Sequence, residues 1–139
     1  MTRTASAIWH GDLKSGNGTV GTASGVLSET PYSFNTRFGE GVTGSNPEEL
    51  IAAAHAACFS MAFANELTSA GHPAEAVETS AAVTMKDLAL TTSALTVTAR
   101  VPGADEATVR EIGEKAKVGC PISKALSSLE ITLDLTVAA

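Results

Sequence analysis

Two cysteines are the residues of this chain best suited to covalent chemistry. Cys58 lies inside a nearly all-apolar stretch, and Cys120 stands directly before Pro121. A thiolate attacks peroxides and disulfides, whereas a buried thiol packs as a small hydrophobe. Because burial disfavours the charged form of Cys58, we expect this thiol to react only where a cation is brought to it.

The local sequence favours Cys120 as the more readily ionised thiol. Pro121 suits the first position of a helix, which places Cys120 at the predicted N-cap. A helix N-terminus favours anions and lowers the pKa of a thiol. Cys58 has no such support in the middle of its own predicted helix.

A histidine precedes Cys58 by one helical turn, so His55 and the thiol can meet. The two could form a Cys-His nucleophile pair or half of a metal site. Two ligands do not complete a zinc site, and no Asn or Asp can be assigned to orient the imidazole of an acyl hydrolase. We therefore interpret His55 as a packed, hydrogen-bonded core histidine and keep the nucleophile pair as an alternative.

A long helix must position Cys58. Asn46 is a favourable N-cap, Pro47 suits the first helical position, and Glu49 is the acid of a capping box. Gly71 then provides the stop. These signals predict one helix from residue 47 to about residue 70.

The predicted helix is apolar on all sides. Between residues 50 and 64 only His55, Cys58 and Ser60 carry polar side-chain atoms, which predicts that the helix is the buried centre of the fold. The uninterrupted apolar run is shorter than the ~20 residues that a membrane-spanning helix needs. We therefore expect no membrane partner.

Strands are predicted on both sides of this helix. Alternation of apolar and polar residues predicts strands over 77–85, 95–101 and 131–137, and less regular patterns predict strands over 5–9, 18–27 and 32–38. Residues 105–117 have helical spacing, and a short helix should start at Pro121. Because strands and helices do not alternate regularly, we predict an α+β fold in a single domain covering residues 1–139.

The composition restricts the partners. The chain of 139 residues carries a formal charge of -6 and no cluster of basic residues, so nucleic acid is not an expected partner. The first residues lack the apolar core of a secretory signal, which predicts a cytosolic protein. Cytosolic thiols are usually kept reduced, so a redox or catalytic use of the two cysteines competes with simple packing.

Five segments together resemble the OsmC/Ohr family of thiol peroxidases. They are residues 25–27, 31–38, 46–50, 55–61 and 115–121, and they occur in the family's order over most of the chain. The resemblance implies reduction of organic hydroperoxides and, less efficiently, of hydrogen peroxide. It implies a peroxidatic Cys58, a resolving Cys120, and active-site roles for Arg37 and Glu49.

The resemblance also implies a fold and partners. The fold is the OsmC-like α+β fold, in which curved antiparallel sheets wrap a long central helix within an intertwined homodimer. No prosthetic cofactor or metal is implied. An external dithiol, such as a lipoylated protein or dihydrolipoamide, would reduce the disulfide formed between Cys58 and Cys120.

Helix geometry constrains how Glu49 can act. Glu49 and Cys58 are nine residues apart, which places them on opposite helix faces and about 13 Å apart along the axis. If Glu49 belongs to the active site, it must reach the Cys58 of a second subunit. We expect Arg37 to lower the Cys58 pKa while Glu49 orients Arg37; the simple alternative is that Glu49 only caps its helix.

A second interpretation of the cysteines is non-enzymatic. A redox-sensing or ligand-binding dimer would use the same two thiols only to report oxidation. Catalytic turnover of peroxide in the presence of excess dithiol separates an enzyme from a sensor that is oxidised once.

Overall fold

The computed structural model describes residues 1–139, which divide into two compact units, Met1–Leu50 and Ile51–Ala139. In the first unit, strands β1 (Ala5–His10), β2 (Asn17–Thr22) and β3 (Thr30–Tyr32) form an antiparallel sheet in the order β1-β2-β3. Strand β2 ends earlier than predicted because the chain turns after Thr22, where Gly25 has φ +78 and donates its N–H to the Thr22 carbonyl.

Residues 34–38 form a one-turn helix, α1 (Phe34–Phe38), where a strand was predicted. Ser33 and Thr36 cap it reciprocally, since each side-chain oxygen accepts the other residue's backbone N–H. The rings of Phe34 and Phe38 meet one turn apart with centroids 4.9 Å apart. The prediction was wrong because aromatic residues favour strands, whereas the Ser-x-x-Thr spacing was the signal for a helix start.

Helix α2 (Pro47–Ser69) begins as the sequence predicts and is followed in the second unit by β4 (Ala76–Lys86) and β5 (Ala89–Arg100). Two helices, α3 (Glu106–Gly119) and α4 (Pro121–Ala125), then lead to β6 (Glu130–Ala138). The predicted helix over 105–117 and the helix start at Pro121 are therefore confirmed. Asn46 caps α2 by accepting the Glu49 N–H at 2.8 Å.

The second sheet has the order β4-β5-β6 and is mixed. β4 and β5 form an antiparallel hairpin, whereas β5 and β6 are parallel. The expectation of purely antiparallel sheets is thus wrong for the last strand, because α3 and α4 carry the chain back to the end of the sheet from which β5 started. The α+β class itself is confirmed.

The core of the second unit lies between α2, α3 and this sheet. Helix α2 contributes a buried stripe with a four-residue spacing, consisting of His55, Phe59, Phe63 and Leu67. The stripe belongs to a cluster with apolar residues of β5, β6 and α3, which are Leu95, Val97, Ala99, Val109, Ala116 and Leu135.

Only one face of α2 is buried in the chain. Ala53, Ala54 and Ala57 are exposed on the other side, and Met61 is 75% exposed. The helix was predicted to be buried on all sides, whereas the chain itself buries only one face of it.

Helix α2 is also long and apolar enough to cross a membrane. This is weak evidence for a membrane-spanning helix, because the core helix of a soluble protein passes the same test. The absence of a membrane partner stays a prediction.

Candidate active site

The two cysteines meet in the second unit. Cys58 lies on α2 beside the buried stripe, and Cys120 occupies the junction where α3 ends and α4 begins. The N–H of Cys120 donates to the Ala116 carbonyl at 2.9 Å, and Pro121 starts α4 immediately afterwards. Both cysteines are free thiols, and they lie close enough for each to shift the pKa of the other.

The surroundings of the thiols shift their pKa values in opposite directions. Burial raises the pKa of Cys58, and the neighbouring Cys120 thiol raises it further. Burial also opposes ionisation of Cys120, but the neighbouring Cys58 thiol, together with Ser123 and Ile122, outweighs it and lowers the Cys120 pKa. The ordering predicted from the sequence is therefore found, and no basic side chain of this unit helps Cys58 to ionise.

His55 is fully buried and bound on both sides. Its Nδ1 lies 2.6 Å from Ser93 Oγ, and its Nε2 lies 2.8 Å from Ser123 Oγ. Burial lowers the pKa of His55, which favours a neutral imidazole. The interpretation as a hydrogen-bonded core histidine is confirmed. Across the chain, no three His, Cys, Asp or Glu side chains are grouped to hold a metal ion.

In the first unit, Arg37 is bound by Glu48. The Arg37 Nη2 lies 2.6 Å from Glu48 Oε1, and its Nε lies 3.2 and 3.1 Å from the two carboxylate oxygens. The guanidinium also lies 5.3 Å from the centre of the Phe38 ring. Burial opposes ionisation of Glu48, but the hydrogen bonds and charge of Arg37 hold its pKa below the usual value.

Glu49 has a different partner. Its carboxylate accepts a hydrogen bond from Ser45 Oγ at 2.8 Å. The expectation that Glu49 orients Arg37 is wrong within the chain, because Glu48 performs this task. Neighbouring residues on a helix point about 100° apart, so the capping-box rule identified the acid at the helix start and missed the one that faces Arg37. Whether Glu49 serves the active site stays a prediction.

Arg37 borders an apolar cavity of about 240 Å³ in the first unit. The Trp9 and Tyr32 rings lie 5.5 Å apart on its wall. Most of the lining side chains are aromatic or aliphatic, and the cavity-lining residues besides Arg37 include Trp9, Leu13, Tyr32, Phe34, Phe38 and Pro47. A guanidinium beside a mostly apolar cavity suits a ligand with one polar end and a hydrocarbon body.

The predicted site residues thus form two groups, one in each unit. Cys58 and Cys120 are together in the second unit, and Arg37 is held by Glu48 in the first. Near Cys58 on α2, Phe59 and Phe63 belong to the core, and Met61 is exposed. Sequence reasoning missed Ser93 and Ser123, because no sequence signal pairs His55 with residues 38 and 68 positions away.

Comparisons with known proteins agree with one another. The family model described as OsmC-like protein matches residues 39–136. Peroxiredoxin OsmC from Escherichia coli (strain K12) is 52% identical over 132 residues, covering 92% of this chain and 91% of that protein.

Solved structures share the fold. An organic hydroperoxide resistance protein from Elizabethkingia anophelis has a TM-score of 0.74 and 26% identity, with 99% of both chains covered. The organic hydroperoxide resistance protein OsmC from Legionella pneumophila has a TM-score of 0.69 and 26% identity, with 96% of this chain and 97% of that chain covered.

Proposed function

The chain belongs to the OsmC-like protein family and is a cysteine-based peroxidase, and from this premise we propose that it reduces organic hydroperoxides through Cys58 and Cys120. The observation that carries the proposal is the proximity of two free thiols, Cys58 and Cys120, which belong to one cluster in the second unit. One of them can be oxidised by peroxide and the other can then displace the oxygen.

The first proposed step is oxidation of Cys58. Its thiolate attacks the terminal oxygen of the hydroperoxide, the O–O bond breaks, and the alkoxide leaves as the alcohol after taking a proton. Cys58 becomes a sulfenic acid. Cys120 then attacks that sulfur, the S–O bond breaks, and hydroxide leaves as water once protonated.

An external dithiol closes the cycle. It attacks the disulfide between Cys58 and Cys120, forms a mixed disulfide, and then closes its own disulfide while both protein thiols are restored. A small dithiol or a lipoylated protein fits this chemistry, because its second thiol lies ready for the intramolecular step. We place the reaction in the cytosol, where thiols are kept reduced.

Arg37 is the proposed source of the positive charge that Cys58 needs. A guanidinium stays charged, stabilises a thiolate and donates hydrogen bonds to peroxide oxygens. Glu48 fixes its orientation through a bidentate pair. Glu48 and Cys58 are ten residues apart on α2, about 15 Å along the axis, so we propose that Arg37 and Glu48 act on the partner subunit's Cys58.

The exposed side of α2 supports a homodimer. The exposed residues of its central part are all apolar and would otherwise face water; they are Ala53, Ala54, Ala57 and Met61. Alanine side chains allow a second helix to approach closely, and burial of Met61 adds apolar contact.

The cavity beside Arg37 supports a preference for organic hydroperoxides. Its aromatic wall can bury the hydrocarbon part of such a substrate, while the guanidinium binds the peroxide end. Hydrogen peroxide has no hydrocarbon part and can contact only the guanidinium, so we expect it to be the poorer substrate.

Peroxide turnover tests the proposed function. With excess dihydrolipoamide, the protein should consume many equivalents of cumene hydroperoxide, with a higher kcat/KM than for hydrogen peroxide. Cys58→Ser should abolish turnover. A single stoichiometric oxidation without turnover would instead identify a redox sensor.

A further inference from the structure

A buried hydrogen bond joins the helix that carries Cys58 to the helix that begins after Cys120. His55 lies on α2, three residues before Cys58. Ser123 lies on α4, three residues after Cys120. The Nε2 of His55 lies 2.8 Å from Ser123 Oγ, and both side chains are buried. Neither side chain takes part chemically in the oxidation of Cys58 or in the attack by Cys120.

Helix α4 has little stability of its own. It is five residues long, and no side-chain hydrogen bond caps its first turn. Ile122 packs against the core, but apolar packing has no preferred direction. Among the side chains of α4, only that of Ser123 makes a hydrogen bond, and its partner is His55. This bond is therefore the directional contact that fixes how α4 lies against α2.

The bond lies one turn away from each cysteine along the chain. Residues three apart on a helix are neighbours on its surface, which places His55 beside Cys58 on α2. Ser123 follows Cys120 at the same spacing. Cys58 packs against the core cluster to which Cys120 belongs. A rotation or shift of α4 would break the bond and move Cys120 relative to Cys58.

The bond between His55 and Ser123 does not depend on the tautomer of the imidazole. A serine hydroxyl both donates and accepts, so it can pair with a ring nitrogen that carries a hydrogen or with one that does not. Ser93 of β5 holds the other side of the ring, with its Oγ 2.6 Å from Nδ1. His55 is thus anchored to the sheet through one nitrogen and to α4 through the other.

We propose that His55 is a positioning residue for disulfide formation, which connects α2 to α4 through Ser123 and thereby holds Cys120 within reach of Cys58. An attacking group that is already in place reacts faster than one that must first be brought there. The role in resolution rests on the proposed function, whereas the connection between the helices rests on the hydrogen bond itself.

The connection leaves the chemistry of the resolving step unchanged. The Cys120 thiolate forms the S–S bond, the S–O bond of the Cys58 sulfenic acid breaks, and the proton lost by Cys120 ends on the leaving hydroxide as water. His55 and Ser123 exchange no proton with either sulfur. A disulfide requires Cα atoms within about 7 Å of each other, so a small displacement of α4 is enough to slow the step.

Two serine variants form a matched pair, because each removes one hydroxyl from His55. After oxidation by a single equivalent of cumene hydroperoxide, Ser123→Ala should form the disulfide between Cys58 and Cys120 about tenfold more slowly. Ser93→Ala leaves the connection to α4 in place and should form it at a nearly unchanged rate. Mass spectrometry measures the disulfide. Equal slowing in both variants, or no slowing in Ser123→Ala, would overturn the proposal.

The two steps of the reaction separate positioning from general damage. Dimedone trapping should show that Cys58 forms its sulfenic acid equally fast in Ser123→Ala and in the unaltered protein. A sulfenic acid that forms as slowly as the disulfide in Ser123→Ala would indicate a damaged core and contradict the proposal. A protein that forms no sulfenic acid even when unaltered would contradict the proposed function alone.

The pH dependence separates position from ionisation. Above the thiol pKa, Cys120 is a thiolate in every variant, so only its position still affects the rate. The slowing by Ser123→Ala should therefore persist at such a pH. Slowing that disappears there would show that Ser123 acts on the ionisation of Cys120, and it would overturn the positioning role.

Hydrogen exchange in the unaltered protein tests the connection even if a variant does not fold. The N–H groups of Lys124 and Leu126 donate to the Cys120 and Ile122 carbonyls and so form the turns of α4. In an anchored helix these two N–H groups should exchange about a hundredfold more slowly than in an unstructured chain. Exchange at the unstructured rate would show that α4 is not held in place and would overturn the proposal.

Discussion

Glu48 and Glu49 are neighbouring acids with different contacts, which makes them a matched pair. Glu48 binds Arg37, and Glu49 binds Ser45. We expect Glu48→Gln to lower kcat/KM for cumene hydroperoxide by about ten- to a hundredfold, because an unclamped guanidinium is misplaced by an ångström or more. Glu49→Gln should leave kcat/KM nearly unchanged.

Titration of the Cys58 thiol is a second way to compare the Glu48→Gln and Glu49→Gln variants. Glu48→Gln should raise the Cys58 pKa, since the cation that stabilises its thiolate would be held less well. A larger loss in Glu49→Gln than in Glu48→Gln would restore Glu49 as the orienting acid, as the sequence alone suggested.

His55 should make stability depend on pH. Burial lowers its folded-state pKa below the ordinary value of 6.5, so the unfolded chain binds the proton more readily. The stability is complete above pH 6.5 and is lost as pH falls from there toward the folded pKa, by at most about 1.4 kcal/mol per pH unit. Equilibrium urea unfolding at several pH values measures the slope.

A variant isolates this contribution. His55→Gln keeps a buried amide without a group that titrates in this range, so its free energy of unfolding should vary less between pH 6.5 and 5. The lowered carboxyl pKa values of Asp12, Glu48 and Asp105 act at lower pH and do not overlap this window. An unchanged slope would show that His55 is not the responsible group.

At the scale of elements, the short helix α1 controls where Arg37 lies. A five-residue helix is too short to be stable by itself, so its reciprocal cap by Ser33 and Thr36 matters. Ser33→Ala should cost about 1 kcal/mol of stability and also lower kcat/KM, because it removes the acceptor of the Thr36 N–H. Urea unfolding and peroxide turnover measure the two effects.

Ser28 offers the control for this change. It is exposed in the same unit and makes no side-chain hydrogen bond, so Ser28→Ala should alter neither stability nor turnover. If Ser33→Ala behaved like Ser28→Ala, capping of α1 would not be what holds Arg37 in place.

At the scale of the whole molecule, the exposed apolar face of α2 is the surface that a second subunit would cover. Met61→Glu places a charge on this face, so it should break the proposed dimer and also reduce peroxide turnover. Leu88→Glu is the matched control, since Leu88 is 84% exposed in the turn between β4 and β5. Sedimentation analysis distinguishes dimer from monomer.

The activity and oligomeric state of Met61→Glu also distinguish an active site built by two subunits from one contained in a single chain. A monomeric Met61→Glu protein with full activity would show that Arg37 and Cys58 need no second subunit. A Met61→Glu protein that stays dimeric would place the interface elsewhere.

Much of the local structure follows from the sequence alone. The cap at Asn46, the proline at the start of α2, the alternation in β4 to β6 and the Pro121 helix start are short-range signals, and the structure has each of them. The ordering of the two thiol pKa values was predicted from local position, but in the structure Cys58, a residue of a different helix, makes the largest contribution to lowering the Cys120 pKa.

Tertiary structure determined the contacts and strand directions that short-range sequence signals do not specify. Adjacent acids on one helix differ by about 100° in direction, and only the position of Arg37 shows that Glu48 is its partner. The direction of β6 depends on the path of α3 and α4, and the partners of His55 come from strands and helices far along the chain. Contacts between distant residues are set by packing of whole elements, so spacing along the sequence cannot supply them.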